Sequence, residues 1–294
     1  MRIAFVGLPL AALLLSHDGH TVVWAGICRK GAIGTRRLVR RLGKNKVRIV
    51  PTLESCIDEV RAEKPDLVVS WFWTKRIPRE FREVAPHGAI GVHPSLLPRH
   101  RGPDPFFWTI DGGDETAGVT AHVLDDAYDT GAVLGQRTLG VDPSWTAWRL
   151  AKKLDRPSLA LLRDTVRAYA NGMPPSPQAQ REEDATLAPE PTEDELEIRW
   201  TEPSARIERR VRAASPWPGT FSAIGATVIT LTRVRPTTDF PRALDPGEAF
   251  VRKDGVAVVR SADTALELLA GRTEDDDREL DVAGLADVVT RAAH

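Results

Sequence analysis

Short apolar runs alternate with helical patterns through the first half of the chain. Five runs have the length of a buried strand: residues 2–7, 20–27, 46–50, 66–72 and 88–93. Between two of them, residues 52–64 carry apolar side chains at helical spacing. This alternation predicts an α/β fold with a doubly wound, mostly parallel sheet. Ligands of such sheets bind at the carboxyl ends of the strands.

The sequence pattern changes twice in the second half of the chain, first to a linker-like composition and then to short strands. Residues 116–126 read as another strand and residues 145–172 as one or two helices. A stretch rich in proline and glutamate follows, with no hydrophobic period. After it, short alternating segments predict strands. We therefore expect an α/β domain over 1–172, a linker over 173–204 and a small, mostly β domain over 205–294.

Composition narrows the choice of partners and compartment. The formal net charge of the 294 residues is −1, so no overall basic field favours nucleic acid or a membrane surface. Two cysteines, Cys28 and Cys56, are too few for a disulfide framework. The apolar N-terminus reads as a strand and a helix rather than a signal peptide, and no run is long enough to span a membrane. These features predict a cytoplasmic protein.

The segment "HGAIGVHPSLLPRHRG" (87–102) carries the first chemical signal. It places His93 at the carboxyl end of a predicted strand, before a loop that two prolines stiffen. An imidazole titrates near neutrality, which suits a general base or proton shuttle. His122 lies in the next predicted strand, and Asp129 follows in a D-T-G turn, where its carboxylate could orient an imidazole. From the residues alone, an ordinary surface pair remains an alternative.

Longer motifs add a resemblance. "HPSLLPRHRG", followed by "GDETAGVTAHVLDDAYDTGAVLGQ", resembles the folate-dependent formyltransferase family. This family includes enzymes that formylate methionyl-tRNA, glycinamide ribonucleotide and amino sugars. "RVRAASPWPGTF" (210–221) resembles the signature that opens the small C-terminal β-domain of its longer members. The resemblance covers nearly the whole chain and implies a Rossmann-like domain followed by an OB-like barrel.

The resemblance also implies a chemistry. The donor would be 10-formyltetrahydrofolate, the acceptor an amine, and no metal would take part. His93 matches the family histidine, which stabilises the oxyanion or moves the amine proton, and Asp129 matches the aspartate that holds the imidazole and a water in place. The residues expected at the folate are Trp73, Ile77, Asp125, Asp126 and Tyr128. For the tryptophan, simple core packing remains an alternative.

One position departs from the family motif. The family has an asparagine two residues before the histidine, and here that residue is Gly91. Alternation along a strand puts both positions on one face, and losing one oxyanion donor typically costs about 10²–10³ in rate. His122, Ser95 or His100 could supply a donor instead. Alternatively, the space admits water or an unusual substrate and the protein hydrolyses formylfolate, or it binds folate without turnover.

The acceptor side is predicted from charge. From residue 205 onward there are 13 Lys and Arg against 14 Asp and Glu, so the C-terminal domain has no net positive charge for tRNA. The loop that follows the second strand is also short compared with the tRNA enzymes. Both points favour a small-molecule amine, such as an amino sugar or an amino acid derivative. Methionyl-tRNA remains the alternative, with the basic run 36–46 as its contact. The residues expected to line the acceptor side are Ser95, His100, Arg101 and Asp104.

Overall fold

Seven strands form one sheet in the described part of the chain, residues 1–292 of a computed structural model. In chain order they are β1 (Arg2–Gly7), β2 (Thr21–Ile27), β3 (Val47–Ile49), β4 (Leu67–Trp71), β5 (Ala89–His93), β6 (Thr116–Val123) and β7 (Val133–Gly140). Their spatial order is β3-β2-β1-β4-β5-β6-β7. The first five strands run parallel, and β6 and β7 are added antiparallel beside β5. The predicted, mostly parallel α/β fold is confirmed.

Helices connect these strands. They are α1 (Pro9–His17), α2 (Thr35–Leu42), α3 (Ile57–Ala62), α4 (Arg79–Arg82), α5 (Pro105–Gly112) and α6 (Ala147–Ala170). The helix expected over 52–64 is shorter, because a 3₁₀ turn at Glu54–Cys56 precedes α3. Within the described residues, no helix combines the length and apolar character needed to cross a membrane.

The parallel strands are apolar along almost their whole length because helices cover the sheet. One cluster of buried residues includes Val6, Trp24, Val68 and Phe81. The rings of Trp24 and Phe81 meet edge to face, with centroids 5.8 Å apart, a favoured aromatic geometry. This packing holds β4 and β5 in place, so the side chains at the carboxyl ends of these strands are attached to a rigid backbone.

The chain forms two compact units. The first consists of residues 1–105, 116–140 and 152–189, and the second of residues 106–115, 141–151 and the chain from Glu190. The boundary at Pro189 falls inside the segment 173–204 that composition marks as a linker. Residues 178–188 make backbone hydrogen bonds to Val133, Pro98, Arg101 and Asp104. This part of the predicted linker is therefore ordered against the first unit.

The second unit contains an antiparallel sheet. Its elements are α7 (Glu193–Leu196), α8 (Ser204–Ala214), β8 (Thr220–Ile224), β9 (Thr227–Thr237), β10 (Ala249–Val251), β11 (Ala257–Arg260), β12 (Ala265–Thr273), β13 (Glu279–Leu280) and α9 (Val282–Ala292). The strand order is β10-β11-β12-β9-β8, and β13 pairs with β12. Register shifts between β9 and β12 at Leu268–Gly271 bend the long strands. The expected β-rich C-terminal domain is thus a curled antiparallel sheet with two longer helices.

A buried carboxylate ties α5 to α8 within the second unit. Asp111 is 2% exposed, and its Oδ1 accepts from Arg210 Nε at 2.6 Å and lies 2.8 Å from Arg206 Nη1. The backbone oxygen of Asp111 also accepts from Arg206 Nη1 at 2.7 Å. A buried charge is tolerated only when it is paired and hydrogen-bonded, and both conditions hold here.

Candidate active site

Strand pairing brings two histidines to one face of the sheet. Gly91 lies opposite His122 across the β5–β6 pair, and His93 lies opposite Thr120. Directly opposite residues of an antiparallel pair share a face, as do alternate residues of one strand. Both imidazoles therefore project from the same face of the sheet, near the carboxyl end of β5.

A tight turn after β6 supplies the carboxylate. Asp129 has a left-handed backbone, with φ of 58°, a conformation that aspartate tolerates better than most residues. Its Oδ2 accepts a hydrogen bond from Gly102 N at 3.0 Å. Gly102 has φ of 125°, and a Cβ there would lie 2.7 Å from Ala188 O. Only glycine fits this position. The Gly102 N–H reaches the Asp129 carboxylate because residue 102 has no side chain to hold the two segments apart.

The carboxylate lies between the two histidines. His93 Nδ1 is 3.5 Å from Asp129 Oδ2, and His122 Nε2 is 3.7 Å from Asp129 Oδ1. His93 and His122 are 7% and 3% exposed, and the Asp129 side chain is 17% exposed. The structure thus brings together the three side chains that the sequence suggests for catalysis.

The hydrogen-bond partners of His93 and His122 show which ring nitrogen carries the proton when each ring is neutral. His93 Nε2 lies 2.8 Å from His100 O, and His122 Nδ1 lies 2.9 Å from Val123 O. Carbonyl oxygens only accept, so these nitrogens donate. In each neutral ring the lone pair is then on the nitrogen that faces Asp129. Both basic nitrogens therefore face one carboxylate, which can accept a hydrogen bond from either ring only when that nitrogen is protonated.

The two rings differ in environment. The pKa of His122 is lowered to about 4, chiefly by burial; the charge of Asp129 opposes this only in part, and the charge of His93 adds to it. At neutral pH His122 is therefore uncharged, and its one N–H is used by Val123 O. Ser95, another alternative donor, gives its hydroxyl proton to Arg99 O at 2.6 Å. Neither side chain offers an uncommitted donor in place of the missing asparagine.

The space beside Gly91 is filled by hydrocarbon. A Cβ at Gly91 would lie 3.0 Å from Leu124 Cδ2 and 3.6 Å from Ser70 Cβ. The first distance is shorter than an ordinary contact between carbon atoms. The Leu124 side chain therefore takes up room that a larger residue at position 91 would need, and Leu124 and Ser70 also line the cleft beside Asp129.

The other predicted acceptor-side residues mainly build the loop. His100 N donates to Thr186 Oγ1 at 2.9 Å, and Asp104 N donates to Ala188 O at 3.0 Å. Arg101 is 6% exposed, and its guanidinium bonds Gln180 and Glu182. The stiff loop is thus held from several sides, and the basic group of Arg101 is engaged within the protein.

A small cleft adjoins Asp129. It encloses about 70 Å³ and is lined by four of the five residues predicted for folate: Trp73, Ile77, Asp125 and Tyr128. The fifth, Asp126, does not line it and forms an ion pair with Arg82. Trp73 Nε1 is buried and has no hydrogen-bond partner among the described residues. Trp73 also packs against the buried cluster that includes Val6, Trp24 and Phe81, so this side chain lines the cleft and contributes to core packing as well.

The lining of this cleft suits the edge of a reduced folate. An aromatic side chain and an apolar isoleucine favour a flat heterocycle. Asp125 is oriented by Thr130 Oγ1, which donates to its Oδ1 at 2.7 Å. The described residues contain no group of three or more His, Cys, Asp or Glu side chains placed to hold a metal ion.

Three residues of the site do not stand out in the sequence. Thr120 Oγ1 donates to Ser95 O at 2.7 Å and accepts from Leu97 N at 3.0 Å. Leu124 packs beside Gly91, and Gln180 bonds the turn that carries Asp129. Alternation from His122 could have found Thr120 and Leu124, since both lie two residues away on the same face. No local pattern marks Gln180.

Comparisons with known sequences place these residues among relatives. A model of the family described as formyl transferase matches residues 46–166, and one of its C-terminal domain matches residues 191–281. A methionyl-tRNA formyltransferase of Anaeromyxobacter sp. (strain K) is 33% identical over 282 residues, which cover 90% of each chain. One from Myxococcus xanthus is 35% identical over 195 residues, 66% of this chain and 61% of that protein.

Solved structures agree on the fold. HypX from Aquifex aeolicus, in complex with tetrahydrofolic acid, aligns with 99% of this chain and 47% of its own at a TM-score of 0.69 and 19% identity. An N-formyltransferase from Helicobacter canadensis, in complex with folinic acid and dTDP-3-aminofucose, aligns with 91% of this chain and 98% of its own, also at 0.69, with 15% identity. At such low identity the likeness supports the architecture alone.

Proposed function

Because the chain belongs to the formyl transferase family, we propose that it transfers a formyl group from 10-formyltetrahydrofolate to the amine of a small molecule. The observation that carries this proposal is the placement of His93. Its Nε2 proton is engaged by His100 O, and its Nδ1 lone pair lies 3.5 Å from the Asp129 carboxylate. This is the arrangement of a base with a stabilising anion beside it.

Proton transfer explains the roles of the two groups. An amine that attacks the formyl carbon must lose one proton, and His93 Nδ1 is the basic atom available to take it. When the bond between the formyl carbon and N10 then breaks, the same proton would pass to N10 of the leaving tetrahydrofolate. The imidazolium that forms is then stabilised by Asp129, which Gly102 N holds in place at 3.0 Å. The charged ring also stabilises a negative oxygen nearby. General base catalysis of this kind contributes roughly 10²–10⁴ in rate.

The donor would be held at the cleft beside Asp129. When bound, 10-formyltetrahydrofolate supplies the formyl carbon. Trp73 and Ile77 would present apolar surface to the ring system, and Asp125 and Tyr128 the opposite rim. Asp126 is proposed only to fix this rim, since Arg82 binds both Asp126 and Leu124 O.

Charge supports a small acceptor. The chain from residue 205 has 13 basic and 14 acidic residues, so it lacks the excess of cations that neutralises phosphates. The connection from β2 to α2 spans only residues 28–34. Amino sugars and amino acid derivatives need neither feature, and the modification of such amines is what we propose.

Methionyl-tRNA is the second candidate. The sequence relatives named above carry this activity, and α2 exposes Arg36, Arg37 and Arg40 to solvent. A nucleic acid contacting this face would lose affinity steeply with salt. Replacing Arg36 and Arg40 by Glu should lower kcat/KM and flatten its salt dependence if tRNA is the acceptor. The same variant should behave as wild type with a small amine.

The test is incubation of the protein with 10-formyltetrahydrofolate and a panel of acceptors, followed by mass spectrometry. We expect a gain of one formyl group on a small primary amine, and a rate reduced at least about 100-fold in His93→Ala. The matched control is His87→Ala, an exposed histidine. Formate release without any amine would indicate a hydrolase, and folate binding without loss of formyl a binding protein. Full activity of His93→Ala would refute the assignment.

A further inference from the structure

The segment that composition marks as a linker lies against the loop that follows His93. Thr186 O accepts from Arg101 N at 2.9 Å, and Ala188 N donates to Arg101 O at 2.7 Å. Near its start, Gln178 exchanges backbone hydrogen bonds with Val133. Residues 178–188 therefore lie beside both β7 and the loop, with a 3₁₀ turn at Glu182–Asp184 in the middle. We call this segment the 178–188 strap.

One side chain of this strap reaches the Asp129 turn. Gln180 Nε2 donates to Asp129 O and to Gly131 O, both at 2.8 Å. Its Oε1 accepts from Arg101 Nε at 3.0 Å and from Arg101 Nη2 at 2.9 Å. Only acceptors face the amide nitrogen and only donors face the amide oxygen. The orientation of this amide is therefore fixed by its partners, because a flip would oppose all four contacts.

Arg101 is itself locked on its other edge. Its Nη1 donates to Glu182 Oε2 at 2.9 Å, and its Nη2 donates to Glu182 Oε1 at 2.8 Å. This bidentate pair also lowers the pKa of Glu182, because the carboxylate accepts from Arg101. A planar guanidinium held along two edges has little freedom. Gln180 thus rests on a rigid support.

Asp129 is held at both of its ends by neighbouring residues of this network. Its backbone oxygen is bound through Gln180 to Arg101, and its carboxylate accepts directly from Gly102 N. The left-handed backbone at Asp129, φ 58°, is strained for a residue with a side chain. Such a conformation persists only where the surroundings impose it.

We propose that Gln180 is a positioning residue for formyl transfer, which sets the Asp129 carboxylate against His93 and His122 by holding the backbone of the 129–131 turn. This inference rests on the proposed function for its kinetic part. Arg101 acts through Gln180, because its guanidinium is engaged by Gln180 and Glu182. Since misplacement of a catalytic group by about 1 Å can cost about 100-fold in rate, loss of this hold should be visible in kcat.

The test compares two substitutions of the same kind in the strap. Gln180→Glu places a carboxylate oxygen against two carbonyl oxygens. Gln178→Glu makes the same change at an exposed side chain, whose Nε2 makes only long contacts to Ser176 O and Oγ, at 3.4 and 3.5 Å. We expect kcat to fall at least tenfold in Gln180→Glu and less than twofold in Gln178→Glu, with the dissociation constant for tetrahydrofolate unchanged in both.

A second readout is independent of turnover. Imidazole NMR of the full-length protein reports the titration of His122, which Asp129 shifts upward. This readout uses Gln180→Met, which removes the same hydrogen bonds without adding a charge that would itself raise the pKa of a histidine. In Gln180→Met the Asp129 carboxylate moves away, so the His122 titration should shift to lower pH, while Gln178→Met matches wild type. Should Gln180→Glu not fold, the kinetic comparison is made between the same two methionine variants.

Either of two results would overturn the proposal: kcat equal in Gln180→Glu and Gln178→Glu, or His122 titrating identically in Gln180→Met and Gln178→Met. If the wild-type protein transfers no formyl group, the proposed function fails, and the NMR comparison alone then decides whether Gln180 positions Asp129.

Discussion

Restoring a side chain at Gly91 is the sharpest test of how this site departs from its family. In Gly91→Asn the new Cβ would lie 3.0 Å from Leu124 Cδ2 and 3.6 Å from Ser70 Cβ. Overpacking a site of this kind costs about 1–3 kcal/mol. For a domain of this size, each kcal/mol corresponds to a fall in Tm of about 2–4 °C. We expect Gly91→Asn alone to be less stable and no more active than wild type.

Shortening the neighbour should reverse this. Leu124→Ala alone loses packing of a half-buried side chain, which costs less than the roughly 2–5 kcal/mol of a fully buried leucine. The double variant Gly91→Asn/Leu124→Ala has room for the amide. The loss of unfolding free energy in the double variant should be smaller than the sum of the two single losses by about 1 kcal/mol or more, since contacting residues couple by amounts of this order.

Activity should follow the same logic. An amide two residues before His93 lies on the face of the imidazole, and one oxyanion donor is worth up to about 10²–10³ in rate. We expect kcat/KM of the double variant to exceed that of either single variant and of wild type. Urea unfolding and formyl transfer are measured on all four proteins. The control is Gly140→Asn, where no atom lies within 4 Å of a Cβ.

The reasoning fails if Gly91→Asn alone is as stable as wild type and as active as the double variant. Leu124 would then not oppose a side chain at position 91.

Two further predictions concern stability. Burial holds the pKa of His122 near 4 against an ordinary 6.5, so the unfolded chain binds more protons than the folded one between these values. Stability should therefore fall as pH drops from about 6.5 to 4, and this fall should be smaller in His122→Gln when urea unfolding is followed at several pH values. Asp111→Asn leaves Arg206 and Arg210 without their carboxylate and should cost roughly 3 kcal/mol, measured by thermal and urea unfolding. Asp58→Asn, which breaks an exposed pair, should cost less than about 1 kcal/mol, and equal losses in the two variants would contradict the role of burial.

The hydrophobic pattern predicts the sheet well, because each strand depends mainly on the apolar character of residues that are adjacent in sequence. The apolar runs that end at Gly7, Ile27 and His93 are buried strands, as expected. Strand alternation also places Gly91 and His93 on one face, and antiparallel pairing then adds His122. Alternation therefore predicts which residues share a face, whereas the contact of both histidines with Asp129 depends on the turn after β6 and is seen only in the structure.

Contacts between distant segments are not accessible in the same way. Gln180 lies 51 residues from Asp129 in sequence, in a stretch whose prolines and glutamates predict a flexible linker. Composition indicates the average tendency of a segment to become ordered. In the 178–188 strap, order depends instead on individual hydrogen bonds to the loop that follows His93. The same holds for Arg101, which the sequence analysis places at the acceptor side: its charge is visible in the sequence, but its partners Gln180 and Glu182 are not.

The missing side chain at Gly91 and the uncharged state of His122 follow from one arrangement. His122 and Leu124 alternate onto the same face, and Gly91 lies directly opposite His122. With no side chain at position 91, the leucine covers this place with hydrocarbon. Burial is the largest cause of the lowered His122 pKa, and an apolar neighbour strengthens it. An amide at position 91, with Leu124 shortened, would replace hydrocarbon by a dipole and raise the pKa of His122 toward 6.5. The same double variant thus tests two things at once: formyl transfer reports the donor that the amide adds, and the imidazole titration reports the apolar cover that the leucine provided.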